Sequence, residues 1–392
     1  MIRFVDQLDL AGKRVLVRAD LDVPLDASGG LEDDHRIRAA LPTLRCVLDG
    51  GGRLIVASHL SRPDGRGEKS SLEPAAARLA ELLDKEVRLS DDCVGDGVKK
   101  LVLDMRAGDV VMLENLRFHR EEAANSPDFA RSLAGLSDAY VDDAFGSAHL
   151  SLASTVGIVA HLAGPKAAGL LMKKELDFLG RLLKDPPRPF VAILGGADVA
   201  EKLKLFESLL PRVDALLVGG SLAYAFLAAQ GVLVGQAKLE EPRVQAARRS
   251  LEKAERLGVK VLLPSDHVCA ESMDEGAKRV VVGESAIPDR LMGLDIGQRT
   301  AAAFAVGIRR AQTAFWSGPM GVCGIERYAE GSRAVAQALC EVKGTAIVGG
   351  GDSALCMHRF GLAAKVAHVS TGGAACLKLI EGAELPGVKA LE

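Results

Sequence analysis

Ten short apolar runs, most closing in glycine or a polar residue and followed by helical spacing, restrict this chain to few architectures. VLVR (15–18), RLIVAS (53–58), VVML (110–113) and AYVDD (139–143) lie in the first half. FVAILGG (190–196), ALLVGG (215–220), KVLLP (260–264), KRVVVG (278–283), TAFWSG (313–318) and TAIVGGG (345–351) lie in the second. Continuous apolar strands alternating with helices indicate parallel sheets covered on both faces. So many strands predict two sheets, and the 392 residues suffice for two α/β, doubly wound domains, each with its own core. LLMKKELDFLGRLLK (170–184) reads as the helix between them, stopped by Asp185-Pro186-Pro187. The expected domains are 1–168 and 186–379, with 169–185 connecting them and 380–392 packing back onto the first.

Within this pattern, TAIVGGGDS (345–353) leaves the fewest chemical readings. Three glycines end a strand and let the backbone approach a ligand, and a helix then opens with unpaired N–H groups and its positive dipole end. Such a turn favours a phosphate. Asp352 makes sense beside phosphates mainly with Mg²⁺ between them. VAHVSTGGAACLKLIEG repeats the grammar with Ser370-Thr371-Gly372-Gly373, and two adjacent cradles suit a polyphosphate. Taken alone, either turn could be an ordinary tight connection.

The first half is basic where the second is glycine-rich. Arg18, Asp20 and Asp22 end one strand, and Arg36 and Arg38 stand at the start of a helix. His59 and Arg62 end another strand, and Arg117 and His119 follow VVML. Cations gathered at several strand ends of a parallel sheet bind phosphate and carboxylate. A net charge of −3 and 4% aromatic residues argue against a nucleic-acid surface, and neither charge nor hydropathy points to a membrane. The start MIRFVDQLDLAGKR lacks the apolar core of a secretory signal. Seven scattered cysteines without a C-x-x-C pair predict reduced thiols, no structural zinc and a cytoplasmic setting.

These residues resemble the phosphoglycerate kinase family nearly end to end. GKRVLVRADLDVP, RIRAALPTL, SHLSRPDG, ENLRFHREE, VDDAFGSAH, RPFVAILGGA, MGLDIG, GPMGV, GGGDSA and VSTGG carry the likeness in order and spacing. The resemblance implies an amino-terminal domain for phosphoglycerate, a carboxy-terminal domain for Mg-nucleotide, and hinge closure in a monomer. It implies that Asp20, Asp22, Arg36, His59, Arg62 and Arg117 hold 3-phosphoglycerate or 1,3-bisphosphoglycerate. Lys202, Gly293, Gly350, Gly351, Asp352 and Ser353 would hold ATP or ADP, with Asp352 on Mg²⁺. Arg36, Gly350 and Gly373 would form the catalytic set.

Several positions depart from the family pattern. Asp22 stands where the family has asparagine, Ser61 for a glycine, Leu150 for a substrate-binding arginine and Leu152 for a nearby histidine. Asp198 replaces a lysine on the transferring phosphate, Ser317 an asparagine, Gly324 a glutamate on the ribose, and Ser221 and Ala374 motif glycines. Positions 22, 150 and 198 together make the anion site four charges more negative. With Glu201 three residues on, Asp198 reads as a helix N-cap or as a Mg²⁺ ligand. Cys376 reads as a small core residue or as a thiol activated by a helix end. Three functions are therefore expected in this order: phosphoglycerate kinase at ordinary or reduced rate, an impaired paralogue binding nucleotide or a protein partner, and a kinase for a less anionic acceptor.

Overall fold

The computed structural model describes residues 2–26, 29–60, 71–274 and 276–392. The chain forms two compact α/β units, one of residues 1–177 with 384–392 and one of residues 178–383. The helix Leu170–Lys184 spans the residues predicted for it and carries the chain from the first unit into the second.

In the first unit six parallel strands are β1 (Arg14–Arg18), β2 (Arg53–Ala57), β3 (Val87–Leu89), β4 (Val110–Met112), β5 (Ala139–Asp142) and β6 (Lys166–Ala168). They are ordered β3-β4-β2-β1-β5-β6. The central three are buried along almost their whole length, because helices cover both faces and leave no polar side to alternate with. Val15, Val17, Leu54, Val56 and Val141 pack there with Ile37, Leu44 and Leu79 from two helices. The terminal segment returns to this unit, where Gly387 donates its N–H to the Ala148 carbonyl at 2.9 Å.

The second unit holds a six-stranded parallel sheet, β15-β14-β13-β7-β8-β9. Its strands are β7 (Phe190–Leu194), β8 (Ala215–Val218), β9 (Lys260–Leu262), β13 (Thr313–Ser317), β14 (Thr345–Gly349) and β15 (His368–Val369). Connections run outward from β7 on one side and from β13 on the other, so these neighbours mark the switch point where such sheets take ligands. A smaller antiparallel sheet, β11-β10-β12, is built from β10 (His267–Ala270), β11 (Val280–Val282) and β12 (Met292–Ile296). KRVVVG (278–283) thus belongs to an antiparallel edge and not to a parallel layer. Val281 is 63% exposed, so the apolar run is not covered on both faces as its composition implied.

Among the described residues, no helix is long and apolar enough to cross a membrane. The stretch 215–237, which carries no charged residue, divides at Gly219-Gly220 into β8 and the helix Gly220–Ala229.

Candidate functional site

In the first unit the ends of β1, β2 and β5 converge on a buried polar cluster. Arg18, the last residue of β1, is fully buried. Its guanidinium donates to Ser154 Oγ at 3.0 Å, Asp20 Oδ1 at 3.2 Å and His59 Nδ1 at 2.9 Å. Asp20 also accepts the Ser147 N–H at 3.0 Å and its hydroxyl at 2.7 Å, which locks the turn after β5 to the end of β1. Ser58 Oγ accepts the Leu21 N–H at 2.9 Å, and Asn115 bridges to the Leu60 backbone, so the loops after β2 and β4 are fixed too.

The charge states follow from this packing. Burial opposes ionisation of Asp20, but Arg18, His59, the Ser147 hydrogen bond and Arg36 outweigh it and hold the carboxyl below its ordinary range. Burial, then Arg18, pushes His59 down to about 3, with Arg117 and Arg36 adding to the effect against Asp20. His59 is therefore neutral near pH 7 and is not one of the converging cations expected from its position. Because an arginine can only donate, Nδ1 is the acceptor and Nε2 carries the proton, 3.8 Å from Asp22 Oδ2.

The cationic face is supplied by Arg36 and Arg117. Arg36 lies in the first turn of the helix His35–Asp49, and Arg117 in the short turn Leu116–Phe118, whose Asn115 side chain accepts the Arg117 N–H at 3.0 Å. Neither guanidinium has a hydrogen-bond or ion-pair partner among the described residues. Arg38 differs, being paired with Asp34 at 2.8 Å. His119 is also withdrawn from the cluster, bound to Asp92 and stacked on Phe129. Arg62 and Ser61 lie outside the described residues. Leu150 closes the turn that begins at Phe145 and remains 37% exposed, so an apolar side chain stands in water beside the Ser147 anchor.

In the second unit, a cleft of about 460 Å³ opens at the switch point. Gly196, Asp198 and Lys202 line it after β7, Gly318 after β13, Gly350 to Ser353 after β14, and Gly373 after β15. Both glycine turns therefore face one space. Gly350 has φ +89° before the helix Gly351–Arg359, a conformation that side-chain-bearing residues rarely adopt. Ser353 Oγ accepts the Gly318 N–H at 2.6 Å, which joins this turn to the end of β13. In the second turn, Gly372 donates its N–H to Ser370 Oγ at 3.1 Å, so that donor is already engaged.

A neighbouring cleft of about 360 Å³ shares Gly196, Ala197 and Asp352 with the first. Gly293, Tyr224, Met320, Cys323 and Gly324 contribute to its lining. A Cβ on Gly293 would overlap the Tyr224 hydroxyl, whereas one on Gly324 would meet nothing within 4 Å. Lys202 is buried, with Nζ donating to Ser317 Oγ at 3.1 Å and Glu201 Oε1 at 2.9 Å. Asp352 is exposed at the first helical turn, without a polar partner among the described residues. An exposed, unengaged carboxylate beside backbone donors is a fit ligand for a hard, oxygen-seeking cation held together with phosphates.

Asp198 is the N-cap of the helix Val199–Leu209, its Oδ1 accepting the Glu201 N–H at 3.0 Å. The Glu201 carboxylate turns to Lys202. The cysteines depart from expectation, since Cys323 and Cys356 form a disulfide. A pair brought together by the fold across 33 residues leaves no spacing signature. Cys376 is fully buried, in line with a core residue.

Sequence reasoning passed over Arg18 as the hub of the first cluster, and it did not single out Ser147 or Ser154. A lone arginine at a strand end gives no sign that it turns inward. Tyr224 and Met320 also went unremarked, because apolar helix and loop residues have no chemical signature.

A family model described as phosphoglycerate kinase matches residues 5–383. The phosphoglycerate kinase of Anaeromyxobacter dehalogenans is 53% identical over 394 residues, covering 100% of this chain and 99% of the relative. A cytosolic phosphoglycerate kinase of Triticum aestivum is 47% identical, covering 98% and 97%. The solved structure of phosphoglycerate kinase from Coxiella burnetii superposes with a TM-score of 0.84 at 37% identity, covering 100% of this chain and 98% of that one. That from Pyrococcus horikoshii gives 0.88 at 30% identity over the same shares. With the two doubly wound units in place, this end-to-end likeness shows that the chain belongs to the phosphoglycerate kinase family.

Proposed function

We propose that this chain catalyses reversible phosphoryl transfer between 1,3-bisphosphoglycerate with ADP and 3-phosphoglycerate with ATP, at a rate lowered by its substituted positions. The observation that carries this reading is the cleft at the β7–β13 switch point, where Gly350 to Ser353, Gly373, Lys202 and Asp352 open onto one space. Phosphoryl transfer needs positioning and cancellation of charge on the moving group rather than covalent help. Backbone N–H groups of the Gly350–Ser353 turn and the Lys202 ammonium supply positive potential in the second unit, with Gly351 on the same turn. Gly293 lets the Tyr224 hydroxyl pack close beside it in the lining of the cleft proposed for the nucleoside. Asp352 would hold Mg²⁺, which when bound neutralises phosphate charge.

In the first unit the acceptor is proposed to lie on Arg36 and Arg117, over a floor of Asp20, Asp22 and His59, with Arg62 beyond the described residues. Arg36 is assigned the contact with the migrating group in the first unit, and Gly350 and Gly373 are assigned a catalytic role in the second. Neutral His59 offers its Nε2–H as a hydrogen-bond donor without adding charge. Asp22 and Leu150 weaken this site, one by repulsion and the other by supplying no donor.

A second reading, a nucleotide-binding paralogue without turnover, is favoured by Asp198. Its carboxylate is fixed as a helix cap where the family has a lysine. Titration of the full chain with MgADP and with 3-phosphoglycerate tests both site assignments. Heat for both ligands is expected, with MgADP the tighter, and silence for MgADP at millimolar concentration would overturn the nucleotide assignment. We also propose a monomer working in the cytoplasm, consistent with the cytosolic setting named for the wheat relative.

A further inference from the structure

The Cys323–Cys356 disulfide crosses the wall of the proposed nucleoside cleft. Its Cα atoms are 6.4 Å apart, and its two halves sit in different elements. Cys323 is half-buried, lining the cleft beside Gly324 in the loop that follows β13. Cys356 is buried within the helix Gly351–Arg359, which begins at the Gly350 turn. The bond therefore ties the loop wall to the helix that carries Asp352. The loop is also held by the Val322 N–H on the Leu294 carbonyl at 3.0 Å, the Ile325 N–H on the Val322 carbonyl at 3.0 Å, the Met320 N–H on Ser332 Oγ at 2.9 Å and Arg359 on the Cys323 carbonyl at 2.8 Å. Val322 and Ile325 also pack on a cluster that includes Leu294 and Tyr328, so the bond adds a covalent tether at Cys323 to a loop anchored on both flanks.

Disulfides in reducing compartments are as a rule transient or redox-sensing. We propose that Cys323 and Cys356 are a reversible oxidation site that sets nucleotide affinity, the ligand resting on the reading given above. The partly exposed Cys323 thiolate attacks a sulfur of glutathione disulfide and expels one glutathione thiolate. The Cys356 thiol then loses its proton and attacks Cys323 Sγ in the mixed disulfide, expelling the second glutathione. Two thiols and one glutathione disulfide become one protein disulfide and two glutathiones, and excess reduced thiol reverses both exchanges. The oxidised form holds the cleft wall in place before the ligand arrives, so less ordering is left to oppose binding.

The test uses the full chain treated with glutathione disulfide or with dithiothreitol, then alkylated, peptide-mapped and titrated with MgADP. A Cys323–Cys356 cross-linked peptide is expected only after oxidation. The oxidised protein should bind MgADP about 5–10-fold more tightly, and melt about 5–10 °C higher. Cys356→Ala should bind as the reduced protein does and ignore the oxidant, and Cys323→Ser should ignore it equally. Independent alkylation of both thiols after oxidation would overturn the proposal. So would a cross-link that leaves MgADP affinity equal or weaker. A cross-link in a protein that binds MgADP in neither state would remove the nucleotide reading and the coupling with it, yet leave the oxidation site established by its mass.

Discussion

The substitution Asp198→Lys removes the carboxylate that caps the helix Val199–Leu209 and places an ammonium in the cleft that Lys202 already lines. Loss of the 3.0 Å bond to the Glu201 N–H should cost about 1 kcal/mol. A cation at the positive end of the helix should add roughly 0.3–1 kcal/mol, so the sum is about 1–2 kcal/mol. For a unit of some 200 residues this corresponds to a fall in Tm of about 3–6 °C, read by calorimetry without ligand. Saturating MgADP should narrow the deficit, because the new ammonium then faces phosphate. The same change restores the family's donor on the migrating group, so turnover should rise, by about 10²-fold if the remaining geometry holds. Opposite signs in one variant are demanding, since impaired folding would depress both. Turnover falling together with magnesium affinity would refute the cap account and make Asp198 a working metal ligand.

Leu150→Arg combined with Asp22→Asn should tighten 3-phosphoglycerate by roughly 2–5 kcal/mol in calorimetry, and an unchanged affinity would place the acceptor elsewhere. Gly324→Glu meets no steric obstacle, and its carboxylate should improve MgADP affinity by about 3–10-fold through a ribose hydrogen bond; weaker binding would contradict the assignment of that cleft. Asp142→Asn should flatten a pH dependence of the first unit. Burial raises the Asp142 carboxyl to about 7, so the folded state keeps a proton that the unfolded state releases near pH 4. Wild-type stability is thus lost as pH rises between about 4 and 7, by at most about 1.4 kcal/mol per pH unit from this group. Denaturation at pH 5 and 7 should show the variant gaining on wild type, and a pH-independent difference would contradict the burial argument.

The fold was legible where burial on both faces left a chemical trace. FVAIL is apolar throughout, and TAFWS and TAIVG are apolar in their middle three residues, because helices cover each side of the sheet, and all three are interior strands. The small antiparallel sheet was not legible. HVCA and MGLDI interleave glycine and polar residues with apolar ones, and the exposed Val281 imitates a core strand. In the second unit the glycine turns were legible as candidate cradles because their geometry lies in the backbone, and both line one cleft. The Asp198 cap was readable for a similar reason, as it depends on a spacing of three residues. The first cluster depends on which way Arg18 turns and on what surrounds His59, and neither is written in local order. The Cys323–Cys356 pairing likewise arises from tertiary packing alone.

The central claim is that the chain still transfers a phosphoryl group despite Asp22, Leu150 and Asp198. Steady-state turnover of 3-phosphoglycerate with MgATP, coupled to consumption of the acyl phosphate product, tests it most directly. The account predicts a rate above the enzyme-free background, below the roughly 1–100 s⁻¹ common for kinases, and lost in Arg36→Ala. No turnover in a protein shown by calorimetry to bind both MgATP and 3-phosphoglycerate would contradict it.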